Sequence, residues 1–471
     1  MGPLDTVILF IYLALLVGLG FYARHRQQDV EDYFVAGRRR GPMTVACLWI
    51  AAWIGGASIV GTSARIYELG VSGIWYIFAI AIGCLLFGLT MATRVKQHGD
   101  RHRHLTYPDF IEQHYDNRTR AVATITTVLA YTAYTAGQFA AAASMLQVLL
   151  GWDYTTSLLL AGAIVILYTA IGGYLAVTYT DWVQVTLVLL GVVAVGVPVA
   201  LSQAGSWTDM QAALPASYYD FGAQGWDRIA ALVVSLVLSF FVAMDSFSRS
   251  FAARDPAAAR NGALIAILLI LPIALAVTWL GLACAVLFPD RATSGGILTR
   301  FVLEVFPAGL KGVMVIGILS AIMSVASICV LTASANYARD IHQRYIQPGI
   351  APRAMLRLGT LASLGAGGLA MLMAWKMRDI IDILQLGFTI NSAALFLPTI
   401  AAIYWDRLPA GAAFWSSGLS LATVIGWRLA ADAGAGGIFT LDPLWPGLLV
   451  SALLLGVLTV FGGRRPAGAA A

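Results

Sequence analysis

Residues 49–64, WIAAWIGGASIVGTSA, are apolar enough to cross a lipid bilayer, yet they include Gly55 and Gly56, Gly61 and the hydroxyls of Ser58, Thr62 and Ser63. In hydrocarbon a helix weakened this way persists only where protein, water or a guest satisfies the freed peptide groups. Two chemistries suit the pattern. Either the small residues let neighbouring helices approach closely, or the helix breaks near 53–57 and turns its carbonyls toward an ion or solute. Asp245 is the next group of interest. It stands in apolar text four residues before Arg249, which makes it half of an i,i+4 ion pair or a carboxylate able to carry a proton. His98, His102 and His104 lie beside Arg101 and Arg103 and read as a solvated basic loop attracted to anionic lipid rather than a metal site. Cys47, Cys84, Cys284 and Cys329 lack CxxC spacing and read as small hydrophobes in helix packing. No HExxH, nucleotide loop or Ser/His/Asp grouping occurs, so nothing points to an enzyme.

The elements that must position these residues are transmembrane helices. Of 471 residues 59% are hydrophobic and 11% charged, the mean hydropathy is +0.79, and apolar runs of helix-spanning length recur throughout. The expectation is an all-α polytopic membrane protein with about thirteen spans, near 5–23, 44–66, 74–94, 119–149, 156–176, 180–201, 226–250, 259–288, 310–338, 354–375, 379–404, 410–429 and 444–462. The first run lacks a basic n-region and a cleavage site, so it reads as a retained helix. Placing the N-terminus outside and the C-terminus in the cytoplasm puts most of the 29 Lys and Arg residues inside, Arg249 among them. The net charge of +5 fits such loops and does not suggest nucleic acid. LTYPDFIEQHY at 105–115 reads as a short amphipathic interfacial helix.

DYFVAGRRRGPMTVACLWIAAWIGGASIVGTSARIYELGVSGIWY resembles the signature opening of the sodium/solute symporter family, in which a YFxxGR segment precedes a broken helix. GGYLAVTYTDWVQ at 172–184, DSFSRSFAARDPAAARNGAL at 245–264 and SAIMSVASICVLTASANYARDI at 320–341 match too, in family order. The resemblance covers nearly the whole chain. It implies two inverted five-helix repeats with discontinuous first and sixth core helices. On these spans the parts are an extra helix and cytoplasmic loop (1–43), the first repeat (44–201), an outer loop (202–225), the inverted repeat (226–404) and two accessory helices (405–471). It also implies a Na+ site formed by carbonyls of Ala51, Ile54 and Ala321 and side chains at Ser324 and Val325. Positions 321, 324 and 325 share one helix face. The family usually carries a second hydroxyl where this chain has Val325, and valine supplies no oxygen; a retained water or Ser327 would fill the vacancy. Trp53 is a second departure, standing where relatives often carry Asn or Asp. Asp181 matches an acid on the family's cytoplasmic ion path; read from its residue type alone it is a helix N-cap at the membrane surface.

Mapping the sugar-transporting relatives puts Ser58, Ile77, Leu236, Ser239 and Gln385 at pocket positions. Ile77 and Leu236 would leave sugar hydroxyls unpaired, at about 1–3 kcal/mol each, which argues against a sugar. Trp53, Trp75, Tyr76, Phe240 and Phe241 form an aromatic alternative beside Gly55 and Gly56, and Trp53 is suited to a cationic head group. Tyr134, Gln138 and Asn391 are further polar candidates. The expected function is secondary active transport of an organic acid, amino acid or amphipathic metabolite by alternating access in the plasma membrane. Na+ is the expected coupling ion. Proton coupling, Na+-independent transport and a sensor with a separate signalling partner are the alternatives. The resemblance also implies a chain that works as a monomer.

Overall fold

The computed structural model describes residues 1–26, 36–290, 296–376, 380–405 and 408–461; the YF of the signature segment lies outside them. In chain order the helices are α1 (Pro3–Arg26), α2 (Pro42–Trp53), α3 (Thr62–Leu69), α4 (Trp75–Thr90), α5 (Ala92–Arg101), α6 (Tyr107–His114), α7 (Asn117–Leu150), α8 (Tyr154–Val188), α9 (Val197–Ala204), α10 (Trp207–Ala213), α11 (Trp226–Phe240), α12 (Met244–Ala252), α13 (Pro256–Leu287), α14 (Ile297–Val305), α15 (Leu310–Ala335), α16 (Pro352–Lys376), α17 (Ile380–Tyr404), α18 (Ala410–Asp432) and α19 (Leu444–Phe461).

Among the described residues seven helical stretches are long and apolar enough to cross a membrane, and α11 with α12, bent by 42° between them, makes an eighth. Helices α7, α18 and α19 stand at three further expected spans with 34, 23 and 18 residues. α7 is less apolar because its Thr, Tyr and Gln side chains face other helices, not lipid. The helical stretch Tyr154–Ala204 has 51 residues, about twice what a bilayer needs. The chain must therefore turn within it. It does so at Gly173, whose φ of 55° is a left-handed backbone that favours glycine.

Two interruptions organise the molecule. α2 stops at Trp53 and the chain resumes helically from Ala57 through a wide π turn. α11 stops at Phe240 and α12 begins at Met244. The start of the first broken helix lies beside the end of the second: Arg40 N–H donates to Ala252 O at 2.9 Å, and Arg254 N–H to Arg40 O at 2.8 Å. At the other face the exit of the first meets the approach to the second, Ser72 Oγ donating to Phe221 O at 3.0 Å and Gln224 Nε2 to Ser72 O at 2.8 Å. The two broken helices are thus antiparallel, as an inverted pair requires.

The face carrying Arg40, Lys96 and Arg120 is closed. α6 has a capping box between Thr106 and Asp109, but it does not lie on lipid as expected for an interfacial helix. Tyr107, Pro108, Phe110 and Ile111 are buried in the bundle. Tyr107 Oη bonds Thr399 Oγ1 at 2.6 Å and Tyr115 Oη donates to Pro398 O at 2.6 Å. Arg120 pairs with Asp109 at 2.9 Å and also with Glu112 and Asp340. Arg339 reaches Asp109 at 3.2 Å. Burial alone would raise the Asp109 pKa, and Arg339 and Arg120 outweigh it, holding the carboxyl below its ordinary value. His104, expected in a solvated loop, is buried and bonded to Gln113. Arg249, expected in the cytoplasm, is wholly buried.

Candidate functional site

The break in the first helix is built from its own small residues and one neighbour. Ile54 leaves the helical region at φ −92°, ψ 88°. In an unbroken helix the amides of Gly55 and Gly56 would close onto the carbonyls of Ala51 and Ala52. Here Gly55 N–H donates to Ser58 Oγ at 3.3 Å, and Gly56 N–H to Gln138 Oε1 of α7 at 3.0 Å. Ser58 Oγ itself donates to Trp53 O at 2.9 Å. The donors freed by the break are satisfied, and the carbonyls of Ala51 and Ala52 lose these intrahelical partners. The glycines also permit close approach. A Cβ on Gly55 would lie 2.7 Å from Val325 Cγ2 and 2.9 Å from Gln138 Oε1, and one on Gly56 2.9 Å from Ala141 Cβ. Close packing and a break in the helix occur together, because the packing glycines and the opened backbone are the same residues.

α15, which carries Ala321, Ser324 and Val325, passes the break at Ile322 and Val325. All three are buried. Ser324 Oγ donates to Ala321 O at 2.9 Å, and Val325 lines the cavity at the break. Ser327 Oγ donates to Ser324 O at 2.9 Å, so without an ion its hydroxyl is already committed within α15. Asp181 is not a surface N-cap. It lies inside α8, 1% exposed, and neither carboxyl oxygen has a partner among the described residues.

A cavity of about 30 Å3, room for a water or two, sits at the break. Of the residues singled out from sequence, Trp53, Gly55, Ser58, Tyr76, Tyr134, Gln138, Asp245 and Val325 line it. Others stand elsewhere. Phe240 is behind Trp53, stacked at 3.7 Å between ring centroids. Ile77, Leu236, Ser239 and Asn391 are wholly buried and outside the cavity lining. Trp75 donates to Phe221 O at 2.9 Å on the opposite face, and Phe241 packs on Phe87 and Phe396. Gln385 donates to Asp442 at 2.9 Å in a larger vestibule of about 610 Å3. That vestibule shares Ala57, Tyr76, Leu384 and Phe388 with the cavity, so these four separate the two spaces.

Tyr131, Cys329, Leu384 and Phe388 are lining residues that sequence reasoning missed. For Tyr131 a signal existed: with Tyr134 and Gln138 it recurs at i, i+3, i+7, one face of α7. Asp245, at the start of α12, does not form the expected i,i+4 ion pair. Its carboxylate accepts the Tyr131 phenol, while Arg249 donates to the Asp245 backbone carbonyl at 3.0 Å and to Leu48 O at 2.8 Å.

Comparison with known proteins follows this geometry. The model of the "Sodium:solute symporter family" matches residues 33–419. The osmoregulated proline transporter OpuE of Bacillus subtilis is 25% identical over 98% of this chain and 96% of its own. The sodium/proline symporter of Escherichia coli is 24% identical over 89% of this chain and 86% of its own. The solved substrate-bound, outward-open state of a Na+-coupled sialic acid symporter superposes with a TM-score of 0.84 at 20% identity, covering 98% of this chain and 99% of that one. A nucleobase-cation-symport-1 family transporter in a closed conformation gives 0.57 at 15% identity, covering 91% of this chain and 95% of that one. An all-helical chain with two antiparallel broken helices, matched across most of its length by that model, belongs to the sodium:solute symporter family, whose members are membrane-embedded, cation-coupled secondary transporters and not enzymes.

Proposed function

We propose that the protein is a Na+-coupled symporter of a small organic solute, held here with its solute path open toward the face of Ser72, Gln224 and Asp227. On this reading the basic face is cytoplasmic and the N-terminus outside, following the distribution of Lys and Arg. The chain operates as a monomer built from the five segments expected from sequence. The observation that carries the reading is the diverted amides of Gly55 and Gly56. They leave the Ala51 and Ala52 carbonyls without these helical partners, in a break where Gly55 packs against Val325 of α15 and lines a cavity that meets the vestibule. Carbonyls of Ala51, Ile54 and Ala321 with Ser324 Oγ are neutral oxygen donors suited to a hard monovalent cation. Trp53, Gly55, Ser58, Tyr134 and Gln138 contact the solute, and Gly56, Ile77, Ser239, Phe240 and Asn391 support the same chamber. Gln385 meets the solute on its way in. Ion and solute together stabilise closure of Tyr76 and Phe388 over the cavity, after which the latch around Arg120 opens the other side.

The test is gradient-driven uptake into proteoliposomes of labelled proline, the solute named for the relatives, and of other small amino acids and amines. Uptake should require Na+ and not K+, and Ser324→Ala should raise the Na+ concentration needed about tenfold or more. Equal uptake without Na+ would remove the coupling assignment. A second reading, proton coupling, is favoured by two buried acids without a cation on the carboxylate, Asp245 and Asp181. Uptake driven by a pH gradient in Na+-free buffer would decide for it.

A further inference from the structure

The central cavity has a definite charge and ring arrangement. One ionisable acid faces it, Asp245, and no Lys, Arg or His does. One carboxylate oxygen accepts the Tyr131 phenol, and no other side chain donates to the carboxylate among the described residues. Arg249, one turn along, is turned away, with Nε on Leu48 O and Nη1 on the Asp245 backbone carbonyl and Ser248. A cation entering the cavity would therefore meet a carboxylate that makes no direct ion pair with Arg249, its charged neighbour one turn along, while an anion would meet no Lys, Arg or His in the cavity lining.

The walls point the same way. Trp53 and Phe388 are nearly parallel, 13° apart, with centroids separated by 6.2 Å, wider than the 3.7 Å stack of Trp53 on Phe240. Phe388 tilts onto Tyr134 at 4.9 Å, and Tyr134 meets Tyr131 edge-on at 5.2 Å. These rings form a continuous aromatic wall running to the acid. Ring faces attract cations, most strongly when water is excluded, and give an anion nothing. The volume, about 30 Å3, takes only the nitrogen end of a solute, and the vestibule beyond Tyr76 and Phe388 takes the remainder. The Gln138 amide nitrogen, whose partner oxygen holds Gly56, adds one neutral donor.

Deepening the transport reading and resting on it, we infer that the solute carries a small primary or secondary ammonium head, which donates to Asp245 and sits against the ring faces of Trp53, Tyr134 and Phe388. The site reads the cationic nitrogen and does not require a carboxylate. An amine is therefore recognised as well as the amino acid bearing it.

Binding to the purified full-length protein in nanodiscs, by calorimetry and thermal shift, tests this with three probes of one size: pyrrolidine (protonated at neutral pH), the neutral tetrahydrofuran and the anionic cyclopentanecarboxylate. Pyrrolidine should bind at least tenfold more tightly than either of the others. Asp245→Asn should abolish the difference between pyrrolidine and tetrahydrofuran, Tyr131→Phe should keep it, and Phe388→Leu should weaken pyrrolidine several-fold. Equal binding of all three, preference for the anion, or absence of pyrrolidine binding overturns the inference. If Asp245→Asn does not fold, the wild-type ranking of the three probes still decides. Gradient-driven uptake of an anionic or neutral solute in preference to amines would overturn the ammonium assignment and leave symport standing. Selective amine binding without any gradient-driven uptake would do the reverse.

Discussion

Replacing Val325 by threonine tests the proposed ion site where the chain departs from its family. Val325 Cγ2 would lie only 2.7 Å from a Cβ on Gly55, so the branched end of this side chain already presses on the break. Threonine exchanges one methyl for a hydroxyl of similar size. Without an ion that hydroxyl can donate to the Ala321 carbonyl one turn back, as Thr132 and Thr135 do in α7. Burying it then costs about 1 kcal/mol. With Na+ bound it adds an oxygen to a set of four, worth about 1.5–3 kcal/mol by analogy with hydrogen bonds to charged groups. The net gain in Na+ affinity is about 1–2 kcal/mol, or roughly 5- to 30-fold. The Na+ concentration that half-saturates the thermal shift of the purified protein reads it directly, without knowledge of the solute. Val325→Ala, which adds no oxygen, should give no gain. A threonine variant that folds but titrates like the wild type, or an alanine variant that tightens equally, would refute the placement of the ion.

Further outcomes follow from the geometry. Gly55→Ala puts a Cβ 2.7 Å from Val325 and 2.9 Å from Gln138; overpacking of about 1–3 kcal/mol should lower the melting temperature and reduce uptake sharply, both measurable on one preparation. Arg120→Gln leaves the buried Asp340 without its guanidinium and Asp109 with Arg339 alone. Removing one partner of a buried ion pair costs about 3–5 kcal/mol, so the basic face should open and a cysteine replacing Thr399 should label faster from that side. His104 is pushed down from 6.5 to about 4, by burial above all. The folded protein then binds fewer protons than the unfolded chain across that interval. Its stabilising contribution is complete above pH 6.5 and is lost as the pH falls toward 4. Melting curves from pH 7.5 to 4.5 should show the slope, and His104→Gln should flatten it.

What the residues determined by themselves is the part governed by local rules. Apolar run lengths defined membrane helices, and Gly55 and Gly56 beside Ser58 marked a helix that cannot continue unaided. A turn between two expected spans was legible near 177–179, and the structure makes it a few residues earlier, at Gly173, inside the first of them. Tertiary structure alone decided where polar groups find partners, since those partners are far away in the chain. Gln138 serves the amide of Gly56 across 82 positions, and Tyr131 reaches Asp245 across 114. The i,i+4 neighbour Arg249 was the natural partner by sequence, but it turns to Leu48 instead. Exposure, too, is a property of the assembled bundle. α6 looked like a helix for the lipid surface until its apolar face met Phe247 and the end of α17, and Asp181 looked like a cap until α8 ran straight through it. A side chain's type states what it can do, while its neighbours from other helices determine what it is left free to do.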